Sequence, residues 1–564
     1  MEKEKKKKVG VTGRSPLLPK ESAADMILWG GNILTMDPQK PGGRAVAIKN
    51  GRFQKAGSDE EIKSLAGRDT KMIALRGRTL TPGFIDSHQH LSLYGTDFLQ
   101  IDCSPGRCPT VAHIQQAVLR EAKRRAPGEW IRGIGYDDTK TRDRKILTRR
   151  DLDETAPDRP VFIRHVSGHW AVVNSKALEI GGVREDASDP IGGAYGRDAA
   201  GRLNGILYEQ AQFAYVLEGT TGKPPIMPSF SLKDRIRGLR LACDRYLASG
   251  ITSVHDALVS AQTLETYQEA FKRGECKLRV YMLIAIEYLP HLRALRLRTG
   301  FGDEWLRVGG LKILADGAIA GRTAYLSEPY VGSDNKGILA VESEEALHDQ
   351  IRQGHEAGFQ VCVHANGDRV IEMTLSGFEK ALKGLPRKNH RHRLEHCTVV
   401  TPGILDRIRR LKLLATPFGS YIHHHGEKMI PSYGAKRVEM MFAHRSFLDY
   451  GIGVSGASDH PCGPYEPLMA IQSCVTRQSS AGEVLGARQR ITVDEALYLY
   501  TMASAYASFE EDLKGSITPG KVADLVVLGE DPRRVDPGEI KDIPVDMTIV
   551  GGEIRYQKGE RIPF

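Results

Sequence analysis

Between residues 82 and 515 the chain repeats one pattern eight times. A short apolar run closes on polar or charged residues at 82–90, 250–256, 278–286, 308–317, 359–368, 391–397, 413–418 and 452–460. Helical periodicity fills most of the gaps, as over Ser343 to Ala357 and Val370 to Leu382. Strand followed by helix, eight times over, predicts an α/β fold of the (β/α)₈ TIM-barrel type. Such a barrel needs only ~250 residues, so 82–515 must also hold a large insertion, and the long gap at 91–249, after the first strand, is its place. Insertions there emerge at the catalytic face, so 91–249 is expected to form a lid subdomain.

The two ends of the chain read differently. Residues 24–81 carry short strands and turns, among them Asn50-Gly51, a dipeptide that favours a type I′ hairpin. Residues 516–564 repeat that character, with Ala523 to Leu528 and Met547 to Val550 followed by Gly551-Gly552. Neither piece has enough apolar faces to fold alone, so the expectation is one composite β-sandwich built from both termini. Met1 to Lys8 is a run of charge without an apolar stretch after it, and residues 1–23 read as a disordered basic tail rather than a secretion signal.

A barrel gathers the C-terminal ends of its strands into one ring. The first run ends in His88 and His90, the fourth contains Lys312, the fifth His364, the sixth His396 and the eighth Asp459. Four imidazoles and a carboxylate converging on one pocket suit a divalent ion, one or two Zn²⁺ per chain. Lys312, flanked by Leu311, Ile313 and Leu314, would be desolvated and partly neutral, and a neutral amine can capture carbon dioxide to give an anionic carbamate able to bridge two cations. Alternatively it binds substrate or pairs with Asp316. His165 and His169 lie in the insertion, where a hydrogen-bonded pair is the simplest reading, while His423 to His425 suit solvent or loop packing.

The formal charge of +9 invites a nucleic-acid reading, but the basic residues are dispersed and runs such as Lys123 to Arg125 fit solvated helix faces, so no nucleic-acid partner is expected. No apolar run reaches membrane-spanning length, and no membrane partner is expected. The eight cysteines form neither a zinc-type spacing nor a dense disulfide framework, which suits a cytoplasmic location. A homodimer is plausible from the sandwich edges, without a residue that argues for it.

Five segments carry a resemblance: Thr81 to His90, Leu311 to Gly317, Val363 to Asp368, Arg393 to Cys397 and Ala457 to Pro461. In that order they resemble the metal-dependent amidohydrolase superfamily, in particular amidohydrolase family 3, which includes N-substituted formamide deformylases. The resemblance runs from about residue 24 to the end and takes in Ser167 to Asn174 of the insertion. It implies a binuclear centre in which His88, His90 and Asp459 hold one metal, His364 and His396 the other, and a carboxylated Lys312 bridges them. The chain departs from the family pattern at His460 and at Thr416-Pro417, which bears on substrate rather than metal.

The expected activity is hydrolysis of a carbon–nitrogen bond, other than a peptide bond, in a small-molecule substrate by attack of metal-bound hydroxide. Asp459 is assigned as general base and then acid, with the second metal or His169 polarising the carbonyl. A helix-capping role is the alternative for Asp459. Trp170, Asp316, Arg322 and Asn366 are candidate substrate-binding residues. Competing readings are deamination, isomerisation or decarboxylation on the same barrel, and a non-catalytic binding protein.

Overall fold

The computed structural model describes residues 22–217 and 224–560, so all but the last two residues of the expected N-terminal tail lie outside it. Its largest sheet has eight parallel strands, in spatial order the reverse of their order in the chain: Phe84–Gln89, Ile251–Val259, Arg279–Ala285, Leu306–Leu314, Gln360–Ala365, Arg393–His396, Leu414–Thr416 and Gly453–Val454. Each falls inside or overlaps one of the eight apolar runs. The sheet curls until its edges meet: Ser87 N donates to Gly456 O (2.9 Å), Asp459 N to His88 O (2.8 Å) and His90 N to His460 O (2.8 Å). The fold is α/β and TIM-barrel-like.

The strands read as near-continuous apolar runs because both faces are covered. Val361 and Val363, fully buried, pack in the same core as Leu347 and Ile351 of helix Glu344–Glu356 and Val370 and Phe378 of helix Asp368–Gly384. Ser343 starts the first of these helices by accepting from Ala346 N, with Glu344 and Glu345 favourably placed in its first turn. Register fixes which residues share the rim. Lys312 pairs with Ala285 on one side and Cys362 on the other, Leu314 with His364, and Ala365 with His396.

Strands from the two ends of the chain meet in a six-stranded sheet, where Leu525–Leu528 runs antiparallel to Thr79–Pro82 with Leu525 opposite Pro82. A four-stranded sheet from residues 24–74 shares an apolar cluster with it, in which Leu28, Val46 and Phe53 pack with Leu525, Val527 and Ile549. Asn50 (φ 50°) and Gly51 (φ 70°) turn one hairpin, Gly551 (60°) and Gly552 (78°) another, both in the left-handed region that a type I′ turn demands.

The segment between the first and second barrel strands has its own six-stranded sheet, running from Ile101–Asp102 through Ile131–Tyr136, Val161–His165, Trp170–Val173 and Leu203–Glu209 to Gly193–Arg197. Among the described residues no helix is long and apolar enough to cross a membrane, and all eight cysteines are free and buried.

Candidate metal centre

His88 ends the first barrel strand fully buried, and its two ring nitrogens are engaged differently. Nδ1 donates to Glu395 Oε2, which leaves Nε2 as the lone-pair atom, 3.5 Å from Asp459 Oδ1 and 3.1 Å from Lys312 Nζ. His90 repeats the arrangement: Nδ1 donates to Ala257 O (3.1 Å), and Nε2 faces the same Asp459 oxygen at 3.3 Å. Hydrogen bonding at one nitrogen thus selects the tautomer that presents the other, the way imidazoles are set up to bind metal. One ligand atom from each of His88, His90 and Asp459 lies within 4.8 Å of the others.

Two more imidazoles complete the ring. The His396 ring centroid is 4.7 Å from that of His88 and 4.4 Å from that of His364. His364 donates from Nε2 to Gly317 O (3.2 Å), leaving Nδ1 as its acceptor. His396 Nδ1 is buried with no hydrogen-bond partner, and a buried polar atom left unclaimed is costly unless something binds it. Burial, reinforced by the charge of Lys312 and by neighbouring imidazoles, holds His88, His364 and His396 well below the usual histidine pKa, so they are neutral and ready to ligate. Burial also lowers the Lys312 pKa to about 8, against the pull of Glu395 and Asp459. Lys312 makes no ion pair with Asp316. These donors fit a divalent ion such as zinc: nitrogen and carboxylate ligands with deprotonated lone pairs aimed inward.

Asp459 is held by backbone geometry. The eighth strand is only two residues long, and Asp459 follows five residues later with φ 56°. The carboxylate of Asp86 accepts from Ser458 N (3.1 Å), Ser458 Oγ and His88 N (3.2 Å), clamping this loop against the first strand. His396 (φ 71°) and Glu209 (φ 48°, ψ −119°) are likewise in sparsely populated conformations. Each such residue costs about 1–3 kcal/mol and persists where surrounding structure enforces it.

The insertion supplies His169, whose ring centroid is 5.0 Å from that of His364. It does not pair with His165. His169 Nδ1 donates instead to buried Glu209 Oε2 (2.7 Å), while His165 bonds Ser167 Oγ and Asp138 and stacks on Trp170. Burial opposes protonation of His169, but the Glu209 carboxylate outweighs it and raises the pKa. Gly317 lies against this pair: a Cβ there would collide with Thr323 Oγ1 and Glu209 Oε1.

His90, His169, Lys312, His364 and Asp459 line a cavity of about 230 Å³, with His88 and His396 behind its wall. Much of the remaining lining is apolar, including Leu93, Phe162, Phe213 and Met227. Trp170, Asp316, Arg322 and Asn366 do not line it. Trp170 is stacked on His165; Asp316 accepts from the backbone N–H groups of Tyr325, Asn366 and Gly367; Asn366 bonds Gly317 O and Thr398; and Arg322 is exposed. A second acid–imidazole group, Asp137, Asp138 and His165, has one carboxylate already engaged by Lys428 Nζ at 2.9 Å.

Sequence reasoning missed Glu395 and Glu209. Glu395 was within reach, because it directly precedes His396 on a strand; strand alternation argues that neighbours face opposite ways, and the positive φ of His396 breaks that rule. Glu209 carries no local signal and meets His169 only through the pairing of Trp170 with Tyr208.

A TIM-barrel-like sheet whose strand ends gather imidazoles, a lysine and a carboxylate over a cavity is the architecture of a metal-dependent hydrolase. The chain belongs to the amidohydrolase family, whose model matches residues 71–556. It is 32% identical to YtcJ of Bacillus subtilis (strain 168), named as an amidohydrolase, over 94% of this chain and 99% of that one. It is 30% identical to the N-substituted formamide deformylase of Arthrobacter pascens, over 95% and 98%. Among solved structures, an uncharacterized metal-dependent hydrolase from Pyrococcus horikoshii OT3 superposes with a TM-score of 0.72 at 25% identity, covering 91% of this chain and 99% of that one.

Proposed function

We propose that the protein hydrolyses an amide-type carbon–nitrogen bond, other than a peptide bond, in a small molecule. The observation that carries this reading is the convergence of the His88 and His90 Nε2 atoms on Asp459 at the wall of a largely apolar cavity. A relative named for deformylating an N-substituted formamide supports the choice of bond.

In this reading His88, His90 and Asp459 would hold one divalent ion, zinc by its donor chemistry, and His364 and His396 would hold a second. An ion in such a site lowers the pKa of water to about 7 and so supplies a nucleophile at neutral pH. Lys312, whose lowered pKa leaves part of it as free amine, would take up carbon dioxide through Nζ with loss of a proton, and the carbamate would supply an anionic oxygen donor to the site. Asp459 takes the proton of the attacking water and returns it to the leaving nitrogen. His169, which the Glu209 carboxylate favours as the imidazolium, keeps Nδ1–H on Glu209 and donates from Nε2–H to the carbonyl oxygen as negative charge gathers there. The apolar wall keeps bulk water from these groups and strengthens each interaction.

The test is amine release by zinc-loaded protein from a panel of formamides and acylated amines, run beside Asp459→Asn. The variant is expected to keep its metal and to lose about 10²- to 10⁴-fold in kcat. Undiminished turnover would remove Asp459 from the proton-transfer role, and no amine from any substrate would overturn the assigned bond.

A further inference from the structure

Three arginines line the cavity, and two of them are neutralised. Arg164 donates to both oxygens of Asp97 (2.7 and 2.8 Å), and Arg235 pairs with Glu265 at 2.6 Å. Arg132 is different. It sits on the insertion strand Ile131–Tyr136, in register with Phe162, another lining residue. One N–H donates to the backbone oxygen of Pro228, and the guanidinium lies 4.2 Å over the ring of Phe230. Among the described residues no carboxylate reaches it. Burial lowers its pKa to about 10, and the positive charge of Arg125 acts in the same direction. It therefore stays a cation at neutral pH, partly withdrawn from water.

Arg132 is half-buried, and a cation partly withdrawn from water is less favourable without a counter-ion, which no described residue supplies. Folding alone offers a ready remedy, a nearby Asp or Glu, which Arg164 and Arg235 both have. Pro228 and Phe230 fix the guanidinium plane while satisfying only one of its five donors. What remains is a planar donor fork facing an apolar cavity, and that geometry matches a carboxylate.

We propose that Arg132 is the anion-recognising residue of this cavity, and that the substrate is an amide whose apolar part carries a carboxylate, as in an N-acylated amino acid with an apolar side chain. This rests on the hydrolase reading above. The amide lies at the strand-end ligands, the apolar body lies against Phe162, Phe213 and Met227, and the carboxylate meets Arg132. Arg132 thus sets specificity and takes no part in the bond cleavage.

Two substrates that differ only in the anion test this: N-formylphenylalanine and N-formylphenethylamine, assayed with the zinc-loaded full-length protein. The acid is expected to be favoured in kcat/KM, mainly through KM. Arg132→Met is expected to lower kcat/KM for the acid by about 10- to 100-fold, the range of a hydrogen-bonded charge pair, and to lower it much less for the neutral amide. Arg132→Lys should recover part of the loss. Equal losses on both substrates would show that Arg132 only tethers the Pro228–Phe230 segment, and equal rates of the two substrates in the unaltered protein would also overturn the proposal. Binding of 3-phenylpropionate against 3-phenylpropanol, followed by calorimetry in the same proteins, separates the two claims. If neither amide is cleaved yet the acid binds the unaltered protein and not Arg132→Met, the hydrolase reading fails and the anion site stands. If the acid binds both proteins alike, the anion site fails.

Discussion

His88 has two ring nitrogens, and its place in the site depends on Glu395 occupying one of them. Glu395 lies between His88 Nδ1 and the guanidinium of Arg393 (Nε to Oε1, 2.7 Å), all three fully buried. Glu395→Gln keeps the shape but lets the amide present either an oxygen or a donor to His88, so the ring loses its fixed tautomer. Metal affinity is expected to fall about 10- to 100-fold, measured by competition with a chromophoric chelator; unchanged affinity would show that His88 is oriented by packing alone. At this scale the sequence was legible where a residue's chemistry and its place at a strand end coincided, as for His88, His90, Lys312, His364, His396 and Asp459, which the structure brings to one end of the barrel. It was not legible where proximity in sequence stood in for direction. Asp316 and Asn366 follow their strands closely, yet Asp316 is turned onto backbone N–H groups and Asn366 onto Gly317 O, Thr398 Oγ1 and His364 Nε2, away from the cavity, and Arg322, with φ 54°, is exposed.

At the scale of elements, the insertion is fastened to the barrel by an ion pair. Asp137, just past strand Ile131–Tyr136, accepts from Lys428 Nζ with both oxygens (3.0 and 2.9 Å), and Lys428 follows the short helix Tyr421–His425 beyond the seventh barrel strand. Burial pushes the Asp137 carboxyl up, but the Lys428 charge and His165 outweigh it and hold the pKa well below the usual range. A carboxylate with a depressed folded pKa contributes stability that is present above its unfolded value, ~3.9, and is lost as pH falls below it. Asp137→Asn leaves Lys428 buried without its partner and is expected to cost about 3–5 kcal/mol at pH 7. In urea unfolding the gap between the two proteins should narrow as pH drops below about 4; a gap constant with pH would contradict the assignment. The barrel strands were readable because buried parallel strands leave uninterrupted apolar runs. The eighth was readable only in outline, since two residues of strand give way to a loop shaped by Asp86, a long-range contact with no sequence signature.

For the whole molecule, the last strands close a sheet that the first strands open, and the closure bears on the site. Strand Thr79–Pro82 leads directly into Phe84–Gln89 and is covered by Leu525–Leu528, while Asp524 pairs with Arg279 of the third barrel strand (2.7 Å) and accepts from Gly551 N. A chain ending at residue 515 would expose Leu80, Ile33 and the edge of Thr79–Pro82. Such a chain is expected to aggregate and to bind no zinc, by size exclusion and metal analysis; a soluble, metal-binding truncation would show the terminal sheet to be dispensable. That the two ends would meet was legible from two incomplete β segments, each too poor in apolar faces to stand alone. The central claim is that the strand ends of this barrel form a metal centre that cleaves a carbon–nitrogen bond. The direct measurement is a titration of metal-depleted protein with Zn²⁺ while amine release from a formamide is followed. No turnover is expected at the start, followed by a rise that stops at about one or two equivalents per chain. Turnover that is already full without zinc, or that never appears as the metal binds, would contradict the claim.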